Sequence, residues 1–157
     1  MSRLIFLDSG PLGLLTHPQR SREVIEITQW FERCLRSGCQ FIVPSIVYYE
    51  IRRELLRANK TQSLSLLDAF VNITPWRYLP LTDAALRLAA ELWAKSRQQG
   101  VPTADAAALD IDIILAAQAQ LFAGDEKFVI VTSNERHLRR FTDARNWAEI
   151  VPSKPVD

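Results

Sequence analysis

Residues 4–11 read Leu-Ile-Phe-Leu-Asp-Ser-Gly-Pro, and they set the architecture that the rest of the chain completes. The first four residues are apolar without alternation, which is typical of a strand buried on both faces of a sheet. Asp8 ends this run, and the Ser-Gly-Pro sequence after it predicts a turn.

Short apolar runs alternate with longer helical patterns along the remaining sequence. Further strands are predicted at 41–43, 78–81, Phe128–Val131 and 147–151. Helices are predicted at 22–37, 45–59, 63–71, from a Thr82 or Asp83 cap to about 99, and at 110–122. This alternation predicts an α/β fold with a parallel sheet covered by helices on both faces.

Length and composition indicate a globular protein. The 157 residues predict one domain, 1–157, and 48% hydrophobic with 24% charged residues excludes a disordered, collagen-like or coiled-coil chain. The net charge of +1 predicts no general attraction to nucleic acid or membranes, so such binding requires a local patch. Fifteen Arg against four Lys suits bidentate phosphate contacts, although a GC-rich genome produces the same bias.

Two features indicate a cytoplasmic protein. Cys34 and Cys39 have no partner cysteines for a metal knuckle or a disulfide framework, so we expect free thiols in a reducing compartment. The N-terminal apolar run is interrupted by Asp8 and is too short for a signal peptide or a membrane span.

Three carboxylates stand where an acidic side chain is costly. Asp8 follows the first strand directly, although it could be a simple helix cap there. Glu50 shares a helix stripe with Ile46 and Val47, and a pairing with an arginine such as Arg53 would explain it structurally.

Asp112 lies in a helix that is apolar on nearly every side, which is typical of a buried helix. Asp110, two residues earlier, is explained as the cap of that helix. Burying the Asp112 carboxylate without compensation costs several kcal/mol, so we expect a cation beside it.

Together these acids predict a metal site at the carboxyl edge of the sheet, where ligands of parallel α/β folds gather. Like charges brought together raise one another's pKa unless a cation is present. Carboxylates and water suit Mg²⁺ or Mn²⁺, and the lack of a Cys or His cluster argues against zinc. Such an ion supports hydrolysis of a phosphate ester, and we expect that ester to belong to a nucleic acid.

Four segments in order resemble PIN-domain ribonucleases, specifically VapC-type toxins. They are Leu-Ile-Phe-Leu-Asp-Ser-Gly-Pro-Leu from residue 4, Ile-Val-Tyr-Tyr-Glu-Ile-Arg-Arg-Glu-Leu from 46, Asp-Ile-Ile-Leu-Ala-Ala-Gln-Ala from 112 and Val-Ile-Val-Thr-Ser-Asn from 129. Each motif alone is weak, but the ordered set is specific and spans nearly the whole chain. The resemblance implies a three-layer α/β/α sandwich around a short parallel sheet.

The resemblance also implies which residues bind metal and take part in catalysis. Asp8, Glu50 and Asp112 match the metal-binding acids of the family, and Thr132 and Asn134 match the polar positions after the fourth strand. The family often carries a further acid in this last motif. Here Asn134 and His137 occupy its two candidate positions, and Asp110 is the acid that could compensate as a metal ligand.

We therefore expect a Mg²⁺- or Mn²⁺-dependent endoribonuclease acting on an RNA substrate. The resemblance implies that it is the toxin of a type II toxin–antitoxin pair, with an antitoxin protein partner, a homodimeric state and no membrane association. The alternative is a catalytically weak or inactive PIN-like domain that binds RNA or a protein, which the missing acid of the last motif favours.

Two other enzyme classes share an aspartate at a strand end, and the sequence argues against both. A haloacid-dehalogenase-type phosphatase needs a second Asp two residues later, where this chain has Gly10. A phospho-receiver domain needs adjacent acids and a Lys at the end of a late strand, but Ser9 follows Asp8 and Lys127 precedes its strand.

Overall fold

The computed structural model describes residues 3–100 and 106–152, without the side chain of residue 106. The ends of the predicted domain, 1–2 and 153–157, lie outside the described residues. The described strands are β1 (Leu4–Leu7), β2 (Gln40–Pro44), β3 (Tyr78–Leu79), β4 (Phe128–Val131) and β5 (Ala144–Arg145). The described helices are α1 (Ser9–Leu15), α2 (Arg22–Arg36), α3 (Ser45–Arg57), α4 (Thr61–Val71), α5 (Asp83–Gln98), α6 (Ala106–Ala123) and α7 (Glu135–Leu138).

All of these strands run parallel in one sheet with the order β3-β2-β1-β4-β5. The chain moves outward from β1 through β2 to β3, and it then crosses back to place β4 on the other side of β1. The strand order therefore reverses between β1 and β4, which is the point where open parallel sheets form their ligand crevice.

Helices pack on both faces of the sheet, and the register shows this directly. Ile5 pairs with Phe41, so the two side chains share a face, and Phe41 packs edge-on against Trp30 of α2 with ring centroids 5.6 Å apart. The next residue of β1, Phe6, faces the other way and meets Phe122 of α6 at 6.1 Å. The predicted three-layer α/β/α architecture is confirmed.

The turn predicted after β1 is instead the helix α1, which begins immediately at Ser9. Asp8 has extended backbone dihedrals and occupies the cap position. Pro11 is the third helical residue, and the first turn of a helix tolerates proline because its N–H groups have no intrahelical acceptor. The Ser-Gly-Pro sequence therefore starts a helix as readily as it makes a turn.

Two further predictions near the C-terminal half are corrected. The strand predicted at 147–151 is a 3₁₀ turn at Trp147–Glu149, and the actual edge strand β5 pairs Ala144 with Ile130. Helix α6 begins at Ala106 and not at Asp110, so Asp110 lies inside the helix and does not cap it. No helix of the described ranges is long and apolar enough to cross a membrane.

Candidate functional site

The first part of the site is a buried pair of side chains at the ends of the two central strands. Asp8 follows β1 and is 7% exposed, and Thr132 follows β4 and is fully buried. The Thr132 hydroxyl donates to Asp8 Oδ2 at 2.7 Å, and the Ser9 backbone N–H donates to Asp8 Oδ1 at 2.8 Å. The Asn134 backbone N–H donates in turn to Thr132 Oγ1 at 3.0 Å. Asp8 is therefore fixed by a donor on each carboxylate oxygen.

Glu50 lies in the second turn of α3 and faces this pair. Its Oε1 accepts a hydrogen bond of 2.8 Å from the Ser9 hydroxyl. No ion pair in the described ranges involves Glu50, so the expected arginine pair is not formed as a salt bridge, although the Arg53 charge lowers the pKa of Glu50. Arg57 pairs with Glu54 at 2.9 Å, and the Arg53 guanidinium lies over the Tyr49 ring at 5.3 Å.

Asp112 comes from α6, which is among the most apolar parts of the molecule. The flanking Ile111 and Ile113 are buried at 8% and 2% exposure, and the Asp112 side chain itself is partly buried. In the described part of the chain no hydrogen bond or ion pair is formed by this carboxyl group. Its position on a helix packed against the sheet brings a third acid to the same edge.

The three carboxyl groups interact through their charges. Burial raises the pKa of Asp112 to about 7, and the charges of Asp8 and Glu50 add to the effect. Burial also raises the pKa of Glu50, which the Ser9 hydrogen bond opposes and the Asp8 charge reinforces. Burial raises the pKa of Asp8 against the lowering effect of the Thr132 and Ser9 hydrogen bonds. Burial of the charged form is the largest cause for all three acids, and the charges of neighbouring acids add to it at Glu50 and Asp112.

No Arg, Lys or His within residues 3–100 and 106–152 forms an ion pair with Asp8, Glu50 or Asp112. The donor set, carboxylate oxygens with nearby hydroxyls, has the chemistry that a hard divalent cation prefers. As the side chains stand, however, no group of three or more described His, Cys, Asp or Glu residues is arranged to hold a metal ion. Shared coordination of one ion by the three acids therefore requires movement of their side chains.

Asp110 does not join this group. It is exposed on α6 and lines a groove between α5 and α6 together with Leu86 and Trp93. Residues two apart on a helix point in nearly opposite directions, which places Asp110 away from the edge that Asp112 faces.

The two polar residues of the last motif lie at the rim of the site. Asn134 is exposed and occupies the cap position of α7, where its side chain forms no capping hydrogen bond. His137 lies one turn further along α7 and is partly buried. Within the described residues, the contact of this motif with the acids runs through Thr132.

Solved structures of other proteins share this architecture. VapBC2 from Rickettsia felis, bound to a DNA fragment from its promoter, matches with a TM-score of 0.68 at 17% identity, over 92% of this chain and 98% of that chain. FitAcB from Neisseria gonorrhoeae matches with a TM-score of 0.68 at 16% identity, over 93% and 99%. DNA-bound VapBC from Salmonella typhimurium matches with a TM-score of 0.65 at 18% identity, over 94% and 99%. The chain has the PIN-domain fold.

At these low identities the likeness concerns the fold. No family profile matches the sequence, and no curated protein matches it. The resemblance to VapC-type PIN domains is thus confirmed at the level of the fold. Within this PIN fold, Asp8 and Thr132 lie at the reversal of strand order between β1 and β4, where the fold rule expects a ligand.

Sequence reasoning missed Ser9, whose backbone and hydroxyl each hold a different acid. It also missed the close approach of Ser133 to Gly10. A Cβ added at Gly10 would lie 2.5 Å from Ser133 Oγ, so glycine lets the start of α1 approach the segment after β4. The sequence signal for both features was the Ser-Gly pair directly after Asp8. These two residues are small, and they lie where the ends of β1 and β4 meet.

Proposed function

We propose that the chain is a Mg²⁺- or Mn²⁺-dependent endoribonuclease whose metal is held by Asp8, Glu50 and Asp112. One observation carries the proposal: the charges of Asp8 and Glu50 both raise the pKa of Asp112, and the charge of Asp8 raises that of Glu50, while none of the three forms an ion pair in the described residues. The PIN fold supports nuclease chemistry at this position. Asp110 is left out of the ligand set because it faces the α5–α6 groove.

The roles of the side chains follow from their contacts. A bound divalent ion would supply Lewis-acid activation of water and of the phosphodiester. Thr132 and the Ser9 N–H hold Asp8 in one orientation, so its oxygens are in place before a ligand arrives. The Ser9 hydroxyl holds Glu50 near the site through Oε1, which leaves Oε2 for a metal ion. Asn134 offers an exposed amide at the rim that can orient a water or the scissile phosphate.

We infer the binding partners of this chain from the solved structures that share its fold. Since the matching structures are VapBC and FitAB toxin–antitoxin complexes, we assign this chain the toxin role, with an antitoxin protein that covers the acidic site. The substrate is RNA, and the setting is the cytoplasm. The exposed apolar residues between α5 and α6 supply the contact of a homodimer.

Metal binding is tested by thermal unfolding of the metal-free protein with Mn²⁺ added at millimolar concentration. Ligand at a hundred times its Kd stabilises by about 2.7 kcal/mol, which a melting experiment resolves easily. We expect Asp112→Asn to abolish the stabilisation. The matched control Asp110→Asn, on the other side of the same helix, should keep it. Equal stabilisation of both variants would remove Asp112 from the ligand set.

Catalysis is tested by RNA cleavage with Asp8→Asn. The substitution keeps the shape of the side chain and its place at the start of α1 but removes the negative charge. We expect cleavage to be lost while the far-UV circular dichroism spectrum stays unchanged. Cleavage at the wild-type rate by protein freed of contaminating nucleases would exclude the mechanism.

A second candidate function is a non-catalytic module that binds RNA or a protein. The observation that favours it is the arrangement of the acids, since no described group is placed to hold a metal as it stands and Asn134 and His137 occupy the positions of the missing acid. RNA retention without cleavage, combined with no thermal response to Mn²⁺, would support this function over the nuclease.

A further inference from the structure

The end of α2 brings together Cys34 and Cys39. The Cys39 N–H donates to the Cys34 carbonyl at 3.0 Å, and the Gly38 N–H donates to the Leu35 carbonyl at 3.0 Å. Gly38 has φ +85°, the left-handed conformation that this hydrogen-bond pair needs. These bonds define a Schellman motif, the hydrogen-bond pattern that ends many helices at a left-handed glycine. In this motif the first and last of the six residues normally make an apolar side-chain contact. Here these two residues are Cys34 and Cys39.

The two thiols have different surroundings. Cys34 is fully buried in the core, whereas Cys39 is partly exposed at the start of β2. The pKa of Cys39 is lowered to about 7, first by its hydrogen bond with Cys34 and then by the Arg3 charge and backbone, against the opposing effect of burial. The pKa of Cys34 is raised, first by the same hydrogen bond and then by burial. A partly exposed thiol with a lowered pKa therefore lies next to a buried thiol with a raised pKa.

We propose that Cys34 and Cys39 form a redox-active dithiol that small-molecule disulfides such as oxidised glutathione convert into an internal disulfide. The pair lies at the amino end of β2, at the opposite edge of the sheet from the three acids. It is thus a modification site separate from the proposed metal centre.

The reaction takes two exchange steps. The Cys39 thiolate attacks one sulfur of oxidised glutathione, the disulfide bond breaks, and one glutathione leaves as a thiolate with the electron pair. Cys34 then attacks the Cys39 sulfur, the bond between Cys39 and glutathione breaks, and the departing glutathione thiolate takes the proton of Cys34. The two cysteines are oxidised, and one glutathione disulfide is reduced to two thiols.

The contact geometry explains why the second step follows the first. Cys34 needs no access to glutathione in solution, because the backbone hydrogen bonds of the Schellman motif hold Cys39, the residue that carries its target sulfur, beside it. Its raised pKa keeps it protonated in the resting protein, but the first cause of that rise, the hydrogen bond with Cys39, is lost once Cys39 is in the mixed disulfide.

Intact-mass measurement after incubation of the full chain with oxidised glutathione tests the proposal. We expect the protein to lose the mass of two hydrogen atoms, to lose both free thiols in a colorimetric assay and to recover both with a reductant. A wild-type chain that keeps both thiols, or that accumulates a lasting glutathione adduct, would overturn the proposal.

Two single variants assign the order of events. Cys34→Ser should accumulate a stable glutathione adduct on Cys39, since no neighbouring thiol remains to displace it. Cys39→Ser should react far more slowly, because the remaining thiol is buried. The wild-type mass result stands by itself if either variant fails to fold, and faster modification of Cys39→Ser than of Cys34→Ser would refute the assignment of Cys39 as the attacking group.

Discussion

Asp8 serves the fold and the site with the same carboxylate. One oxygen accepts from the first N–H of α1, so the residue starts the helix, and the other accepts the Thr132 hydroxyl across the sheet. A helix cap commonly bonds the second or third N–H of the helix, and a bond to the first leaves the carboxylate turned toward the strand ends. The structural and functional interpretations of Asp8 are therefore compatible.

Thr132→Val removes one donor while keeping the side-chain volume. Because Asp8 Oδ2 is buried, loss of its donor should lower the free energy of unfolding by about 1–3 kcal/mol at neutral pH. Urea unfolding at neutral pH measures this. Thr132→Ser, which keeps the hydroxyl, is the control and should lose less. If Val costs no more than Ser, the Thr132 hydroxyl is not what stabilises this part of the fold.

Asp112 predicts a pH dependence of stability in the metal-free protein. Its pKa rises from 3.8 to about 7 on folding, so the folded state holds this proton more tightly than the unfolded state. Stability from this group is therefore fully present below about pH 4 and is lost as the pH rises through about 7. The full shift is equivalent to about 4 kcal/mol, and solvent screening of a partly exposed group reduces the effect to about 1–2 kcal/mol.

Urea unfolding in a chelator at about pH 4 and pH 8 tests this sign. Asp112→Asn should match the wild type at the lower pH and exceed its stability at the higher pH. Asp110→Asn should follow the wild-type profile. A variant Asp112→Asn that is less stable than the wild type at pH 8 would show that the carboxylate is compensated in solution.

At the scale of elements, the junction between α1 and the end of β4 depends on Gly10. Alanine favours a helix over glycine by about 1 kcal/mol, but here its Cβ would meet Ser133 at 2.5 Å. We expect Gly10→Ala to be destabilising alone and to become more favourable by about 1 kcal/mol when combined with Ser133→Ala. Thermal unfolding of the two single variants and the double variant measures the coupling, and strictly additive effects would mean that the two segments do not touch.

The elements differ in how far the sequence predicted them. β1 and β4 were predicted with their observed bounds because both are continuous apolar runs. β5 was misplaced because two residues carry no periodicity, and its pairing comes from the neighbouring β4. The start of α6 was set too late because Asp110 resembles a cap, whereas burial of Leu109 and the residues after it extends the helix.

The site was partly predictable for a related reason. Asp112 and Glu50 conflict with their apolar surroundings, and such a conflict is visible in the sequence. The role of Ser9 was not visible, because its two hydrogen bonds exist only when α1 begins directly after β1. The side of α6 that Asp110 occupies likewise depends on packing against α5.

At the scale of the whole molecule, an apolar surface between α5 and α6 is left uncovered. Leu86, Trp93, Leu121 and Phe122 are each 42–47% exposed. Surface patches of this kind commonly mark protein contacts. We expect the chain to sediment as a dimer and Trp93→Glu to shift it toward the monomer.

Leu56→Glu is the matched control for that prediction. Leu56 is 53% exposed on α3, away from the α5–α6 groove, so its substitution should leave the sedimentation coefficient unchanged. Dissociation by Leu56→Glu but not by Trp93→Glu would place the contact on α3 instead.

The insertion of β4 beside β1 also has a consequence during translation. The first strand emerges from the ribosome early, but its neighbour on one side is not synthesised until residues 128–131. A nascent polypeptide released before that point carries Asp8, Glu50 and Asp112 without the strand and the threonine that hold Asp8 in place. Prematurely terminated products should therefore be inert, and the cell that makes this protein meets an assembled centre only after the ribosome has nearly finished the chain.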